Sequence, residues 1–182
     1  MKTLGNRVIK FIEMYCVHSS GDYLGKPFVL RDWQKEIIRE LFEIKEDGSY
    51  KHHTAYISLP KGNGKTELAG ALAVFGLLGS GNNAPIIPVV ASSYDQADLV
   101  FGSAKAMITN GELRHFVDVQ ERKIIVKDNP NDTLIKLMTD IWNNEKIYFS
   151  LFNLHNYLYD VLKHECVPRH IELKDEEVDD IK

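Results

Sequence analysis

The chain has 182 residues, 26% of them charged, with 22 Lys and Arg against 26 Asp and Glu and a formal net charge of −4. That length holds one core-bearing domain with a small appendage and excludes two catalytic domains, while the acidic balance gives no global basic field for nucleic acid, leaving only a local patch for any DNA contact. Cys16 and Cys166 are too few and too far apart for a disulfide framework or a zinc site, which points to reduced thiols and a cytoplasmic location.

Residues 6–17 carry Val8, Phe11, Ile12 and Tyr15 at helical spacing, and Ser19-Ser20-Gly21-Asp22 ends the run. After a turn at Gly25-Lys26-Pro27, Asp32 is placed to cap a helix over 33–42, with Trp33, Ile37, Ile38, Leu41 and Phe42 along one face. Residues 55–59 read as a short buried strand and 67–78 as an Ala- and Leu-rich helix. A second strand, 86–91, is followed by a helix over 95–108, in which Ala97, Val100, Phe101, Ala104 and Met107 are spaced for burial. Residues 123–126 and 133–138, separated by Asp128-Asn129-Pro130-Asn131-Asp132, predict a β-hairpin.

The alternation of strands and helices over 55–108 predicts an α/β fold with a layered, mainly parallel sheet. From 145 to 163, Ile147, Leu151, Leu154, Leu158 and Val161 recur at helical spacing among aromatic residues, which predicts an added C-terminal amphipathic helix. Residues 172–180 are acidic and read as a frayed tail. The longest apolar stretch, 69–79, is too short to span a bilayer, and the N-terminus does not lead into a signal-peptide core, so a soluble protein without a membrane partner is expected.

Between the strand at 55–59 and the helix at 67–78 lies Leu59-Pro60-Lys61-Gly62-Asn63-Gly64-Lys65-Thr66. A strand, a glycine-bearing loop ending in Gly-Lys-Thr and a helix N-terminus form the context in which a phosphate-binding loop works. Glycines let main-chain amides turn inward around an anion, the helix start adds partial positive charge, Lys65 reaches terminal phosphates, and the Thr66 hydroxyl holds Mg²⁺. The position of the usual first glycine is taken by Leu59, so the pattern is a variant one, with Lys61 inside it. The plainer alternative is a chance strand-to-helix connection with an exposed lysine.

Two further stretches flank the loop in order: Phe28-Val29-Leu30-Arg31-Asp32-Trp33-Gln34 upstream and Ala91-Ser92-Ser93-Tyr94-Asp95-Gln96-Ala97 downstream. With the loop and its continuation Glu67-Leu68-Ala69, this ordered set resembles the N-terminal ATPase region of tailed-phage terminase large subunits, over about residues 7–140. The resemblance implies a P-loop fold and an ATP-binding motor that drives viral double-stranded DNA into a capsid. ATP and Mg²⁺ would be its cofactors, and a terminase small subunit and a portal ring its partners, in the host cytoplasm.

Carried over residue by residue, Gly62, Asn63 and Gly64 supply the main-chain cradle, Lys65 contacts the β- and γ-phosphates, and Thr66 holds the metal through the nucleotide. Lys61 either neutralises phosphate charge or points to solvent. Trp33 and Gln34 match the adenine-side element, and an amide suits adenine because it both donates and accepts; otherwise Gln34 is an exposed helix glutamine beside a core tryptophan. Gln96 falls where related translocases couple nucleotide state to DNA, or it is an ordinary helix-start glutamine.

The resemblance also implies an apolar strand ending in Asp-Glu after residue 140, to hold Mg²⁺ and polarise the attacking water. No such run occurs. Ile124-Ile125-Val126-Lys127-Asp128 comes too early, Leu137-Met138-Thr139-Asp140 is weaker, and Asp160 falls inside the helical pattern of 145–163. The family's nuclease domain has no counterpart either. Residues 1–140 are therefore expected to form a partial terminase-like ATPase region and 141–182 an unmatched segment, as from an interrupted gene or a prophage remnant. Such a chain would bind nucleotide without efficient turnover. Two other readings are a non-catalytic terminase remnant acting as an interaction module, in which helix 145–163 caps an otherwise open sheet or mediates self-association through its aromatic face, and a helicase-like ATPase, which would lack its Asp-Glu-x-Asp/His element.

Overall fold

Apolar residues three and four apart build helix α1, Gly5–Tyr15, whose Val8, Ile9 and Ile12 are buried. The computed structural model describes residues 2–60, 62–81, 85–91, 93–138 and 171–174, with only the backbone described for 135–138 and 171–174. Helix α2, Asp32–Leu41, packs against α1 and buries Gln34, Ile37, Ile38 and Leu41. Asp32 does not cap it as expected. Arg31 precedes the helix, and Gln34 Oε1 reaches back to accept the Arg31 N–H at 2.8 Å.

Strand β1, Thr54–Ile57, leads through the glycine-bearing loop into helix α3, Lys65–Leu78. Every residue from Leu68 to Leu77 in α3 is buried, so it is a central helix with no polar face to speak of. Strand β2, Ile86–Ala91, has the bounds the sequence predicts, and helix α4, Tyr94–Thr109, follows it. A short 3₁₀ turn, Glu112–His115, then leads to β3, Val117–Val119, β4, Lys123–Val126, and β5, Thr133–Met138.

The four-stranded sheet runs β2-β5-β4-β3. β2 and β5 are parallel, with Ile86 opposite Thr133 and Ala91 opposite Met138, whereas β5–β4 and β4–β3 are antiparallel. The sheet is thus mixed, not mainly parallel. Short turns between β3, β4 and β5 compel antiparallel pairing, and only the connection that passes through α4 is long enough for a parallel pair.

β1 lies outside that sheet and pairs antiparallel with β6, Ile171–Lys174. This corrects the expectation of a frayed tail from 172 onward, because its first residues supply hydrogen-bonding groups to an otherwise open strand edge. Helix 145–163, Asp140, Asp160 and the proposed boundary at 140 lie outside the described residues.

α3 and α4 approach closely at Gly70, where a Cβ would stand 2.9 Å from Ser103 Oγ and 3.1 Å from the Ala104 nitrogen. The core cluster includes Val74, Val89, Phe101, Met107, Ile108, Ile124 and Leu134, all buried. Each such side chain contributes about 2 kcal/mol on burial. Cys16 joins the core as a free thiol, and burial pushes its pKa up to about 12. Among the described residues, no helix is long and apolar enough to cross a membrane.

Candidate functional site

The loop between β1 and α3 is built around two glycines in the left-handed region, Gly62 at φ 85° and Gly64 at φ 73°. A side chain at either would be strained, because Cβ crowds the following carbonyl in that conformation. Around Gly62 the space is open, with no heavy atom within 4 Å of where a Cβ would sit. Asn63 closes the loop on itself, its side-chain Nδ2 donating to the Pro60 carbonyl at 3.1 Å and its main-chain N–H turned to the same oxygen at 3.4 Å. Asn63 is therefore a turn-former in this loop, with both its side-chain and main-chain N–H directed at one carbonyl. Leu59, at the usual first-glycine position, packs against the core instead of lining the loop.

α3 begins without a side-chain cap, since its N-cap is Gly64. The first helical hydrogen bond runs from Leu68 N–H to the Gly64 carbonyl at 2.9 Å, so the amides of Lys65, Thr66 and Glu67 precede the helical ladder. Such a start, with its partial positive charge, favours a bound anion. Lys65 and Thr66 are the first two residues of α3 and are half-buried, which places an ammonium and a hydroxyl on the same turn as those amides.

Gln34 is 4% exposed, against the surface glutamine of the plainer reading. With Oε1 engaged by Arg31 N–H, Nε2 is turned toward the loop, and a Cβ built on Gly64 would meet it at 3.8 Å. The structure therefore brings α2 and the phosphate-type loop together at the Gln34 amide. Trp33 is half-buried and packs against the core. Gln96 lies in the first turn of α4, exposed, with its main-chain N–H donating to Ser93 Oγ at 3.3 Å. Lys61 lies outside the described residues. Among those described, no group of three or more His, Cys, Asp or Glu is arranged to hold a metal ion.

Sequence reasoning missed the polar contacts on the flank of this loop. Glu67 accepts from Ser19, and its other oxygen lies 3.1 Å from His18 Nδ1. The one signal available was an acid in the first turn of a helix; its partners are 48 and 49 residues away in sequence.

Comparison with known proteins identifies a family. The family model for the terminase large subunit, ATPase domain, matches residues 32–145, more than half of the chain and inclusive of Gln34, the loop and Gln96. The large terminase subunit of Enterobacteria phage HK97 is 32% identical over 120 residues, which cover 64% of this chain and 23% of that protein. The crystal structure of the HK97 bacteriophage large terminase superposes with a TM-score of 0.64 at 28% identity, covering 76% of this chain and 28% of that one. The chain thus spans about a quarter of the length of these relatives. By the family match, it belongs to the terminase large subunit ATPase-domain family.

Proposed function

We propose that this chain is the ATP-binding motor region of a phage terminase large subunit, the part that powers packaging of viral double-stranded DNA into a capsid. Membership of an ATPase-domain family implies a nucleotide site. The observation that carries the reading is the uncapped, glycine-led start of α3, with Lys65 and Thr66 on its first turn. Double-stranded DNA, a small subunit and a portal ring are the partners that go with such a motor in the host cytoplasm.

In this reading Gly62, Gly64 and the first amides of α3 surround the phosphates, and Lys65 pairs with the β- and γ-oxygens. Lys61 adds positive charge from within the loop. The Thr66 hydroxyl holds Mg²⁺, which when bound neutralises phosphate charge. Asn63 keeps the loop closed on Pro60. Gln34 recognises the nucleotide, with Nε2 as a donor and the second lone pair of Oε1 as an acceptor beside the Arg31 N–H. Trp33 supports Gln34 from the core, and Gln96 on α4 relays nucleotide state.

After β5 the sequence continues Thr139-Asp140-Ile141-Trp142 without an apolar run ending in Asp-Glu. Turnover would further need carboxylates that hold Mg²⁺ and polarise the attacking water, since electrostatic positioning supplies most of the catalysis in phosphoryl transfer.

Isothermal titration with ATP and Mg²⁺ tests the binding. The unaltered chain is expected to give a saturable heat, and Lys65→Ala to weaken affinity by about tenfold or more, as expected for a lost charge-assisted phosphate contact. Negligible heats from both proteins, or equal affinities, would remove the proposal.

A further inference from the structure

Glu67 is the acidic residue in the first turn of α3, directly after Lys65 and Thr66. A carboxylate there favours the helix start but opposes a bound anion of the same sign. The structure turns it to the side. Its Oε1 accepts from the Ser19 N–H at 3.0 Å and from Ser19 Oγ at 3.1 Å, and its Oε2 lies 3.1 Å from His18 Nδ1. Ser103 Oγ on α4 donates in turn to Ser19 Oγ at 3.0 Å.

The segment that holds Glu67 is itself anchored. The His18 ring packs edge-on against Phe28 at 5.0 Å between centroids, and Phe28 is buried. His18 N–H donates to the Lys26 carbonyl at 2.8 Å, and Phe28 N–H to the Cys16 carbonyl at 3.0 Å. A continuous set of contacts therefore runs from the core through His18 and Ser19 to the first turn of α3, and across to α4.

We infer that Glu67 is a positioning residue for the phosphate loop: held by Ser19 and His18, its carboxylate fixes the first turn of α3 so that the Lys65 and Thr66 amides face a polyphosphate, and keeps its own charge off that anion. This deepens the nucleotide reading above and depends on it. Three hydrogen-bonding contacts on one side chain are more than a surface helix acid needs to satisfy the dipole.

The test titrates the full chain, Glu67→Ala, Glu67→Gln and Lys65→Ala with ATP-Mg²⁺ and with inorganic tripolyphosphate, and follows amide hydrogen exchange over residues 65–70 without nucleotide. Glu67→Ala is expected to weaken both ligands by the same factor, about tenfold, and to speed exchange in that turn above the rest of α3. Glu67→Gln keeps an acceptor for the Ser19 N–H and should restore affinity to within about twofold of the unaltered chain.

If Glu67→Ala binds both ligands as the unaltered chain does, or its exchange over 65–70 is unchanged, the positioning role is overturned while the nucleotide reading stands. No binding by the unaltered chain, with Lys65→Ala no different, overturns both. Should Glu67→Ala fail to fold, Ser19→Ala removes one contact and is expected to weaken tripolyphosphate by about threefold; an unchanged affinity there overturns the role.

Discussion

α3 and α4 both follow a strand, yet they begin in opposite ways. α3 starts at a left-handed glycine with no side-chain cap, while α4 starts at Ser93 in extended backbone, its Oγ accepting the Gln96 N–H at 3.3 Å. One start is left open and the other is closed by its own chain. A glycine N-cap gives up only a few tenths of a kcal/mol against serine, so the fold keeps these amides available for something other than itself at little cost. Their surroundings repeat the contrast: Gly62 and Gly64 have open space and a glutamine amide beside them, and the acid on α3's first turn is drawn off by Ser19 and His18.

The two starts share one frame, and the sharpest way to break the comparison is to disturb that frame. At Gly70 a Cβ would lie 3.1 Å from the Ala104 main-chain nitrogen, which cannot move without shifting α4. Gly70→Val is expected to cost about 1–3 kcal/mol through overpacking, and to lower both stability and nucleotide affinity. Chemical denaturation with parallel ATP titration would show it; a variant as stable as the parent would mean that α3 and α4 are not tightly apposed there.

Gly64→Ala addresses the open start alone. At φ 73° a methyl group costs about 1–2 kcal/mol, and any relief by rotating the backbone moves the amides out of the cradle. Stability should fall by about that amount and ATP affinity by about tenfold, a loss of similar size. Equal affinity in the variant, by titration, would show that the left-handed geometry is not what the nucleotide uses.

Local patterns made the open start legible in the sequence. Glycines at 62 and 64, the following Lys-Thr, and a strand and helix on either side are all contained within two dozen residues, and β2 and the β4–β5 hairpin were equally readable from apolar runs and a polar turn. The rest depended on contacts remote in sequence. Gln34 could be read as a surface glutamine beside a core tryptophan, and its burial and its approach to Gly64 came only with the fold. β3 is three residues with an aspartate at its centre, too short to show a period. The parallel sheet was over-extended from the strand-helix alternation of 55–108. That alternation says nothing about which strand β1 pairs with, and β1 is found against Ile171–Lys174.

Ser93→Ala sharpens the comparison from the closed side, with the smallest expected effect. The hydroxyl satisfies one of the orphan amides of α4, so its loss should destabilise the chain by about 1 kcal/mol, while Ser93→Gly should cost only a few tenths. Neither change touches the phosphate loop, and both variants should bind ATP as the parent does. Thermal denaturation beside titration separates the two quantities. A Ser93→Ala variant that loses ATP affinity without losing stability would place the start of α4 inside the nucleotide site, and the two helix starts would then be parts of one binding surface, not an open end and a closed one.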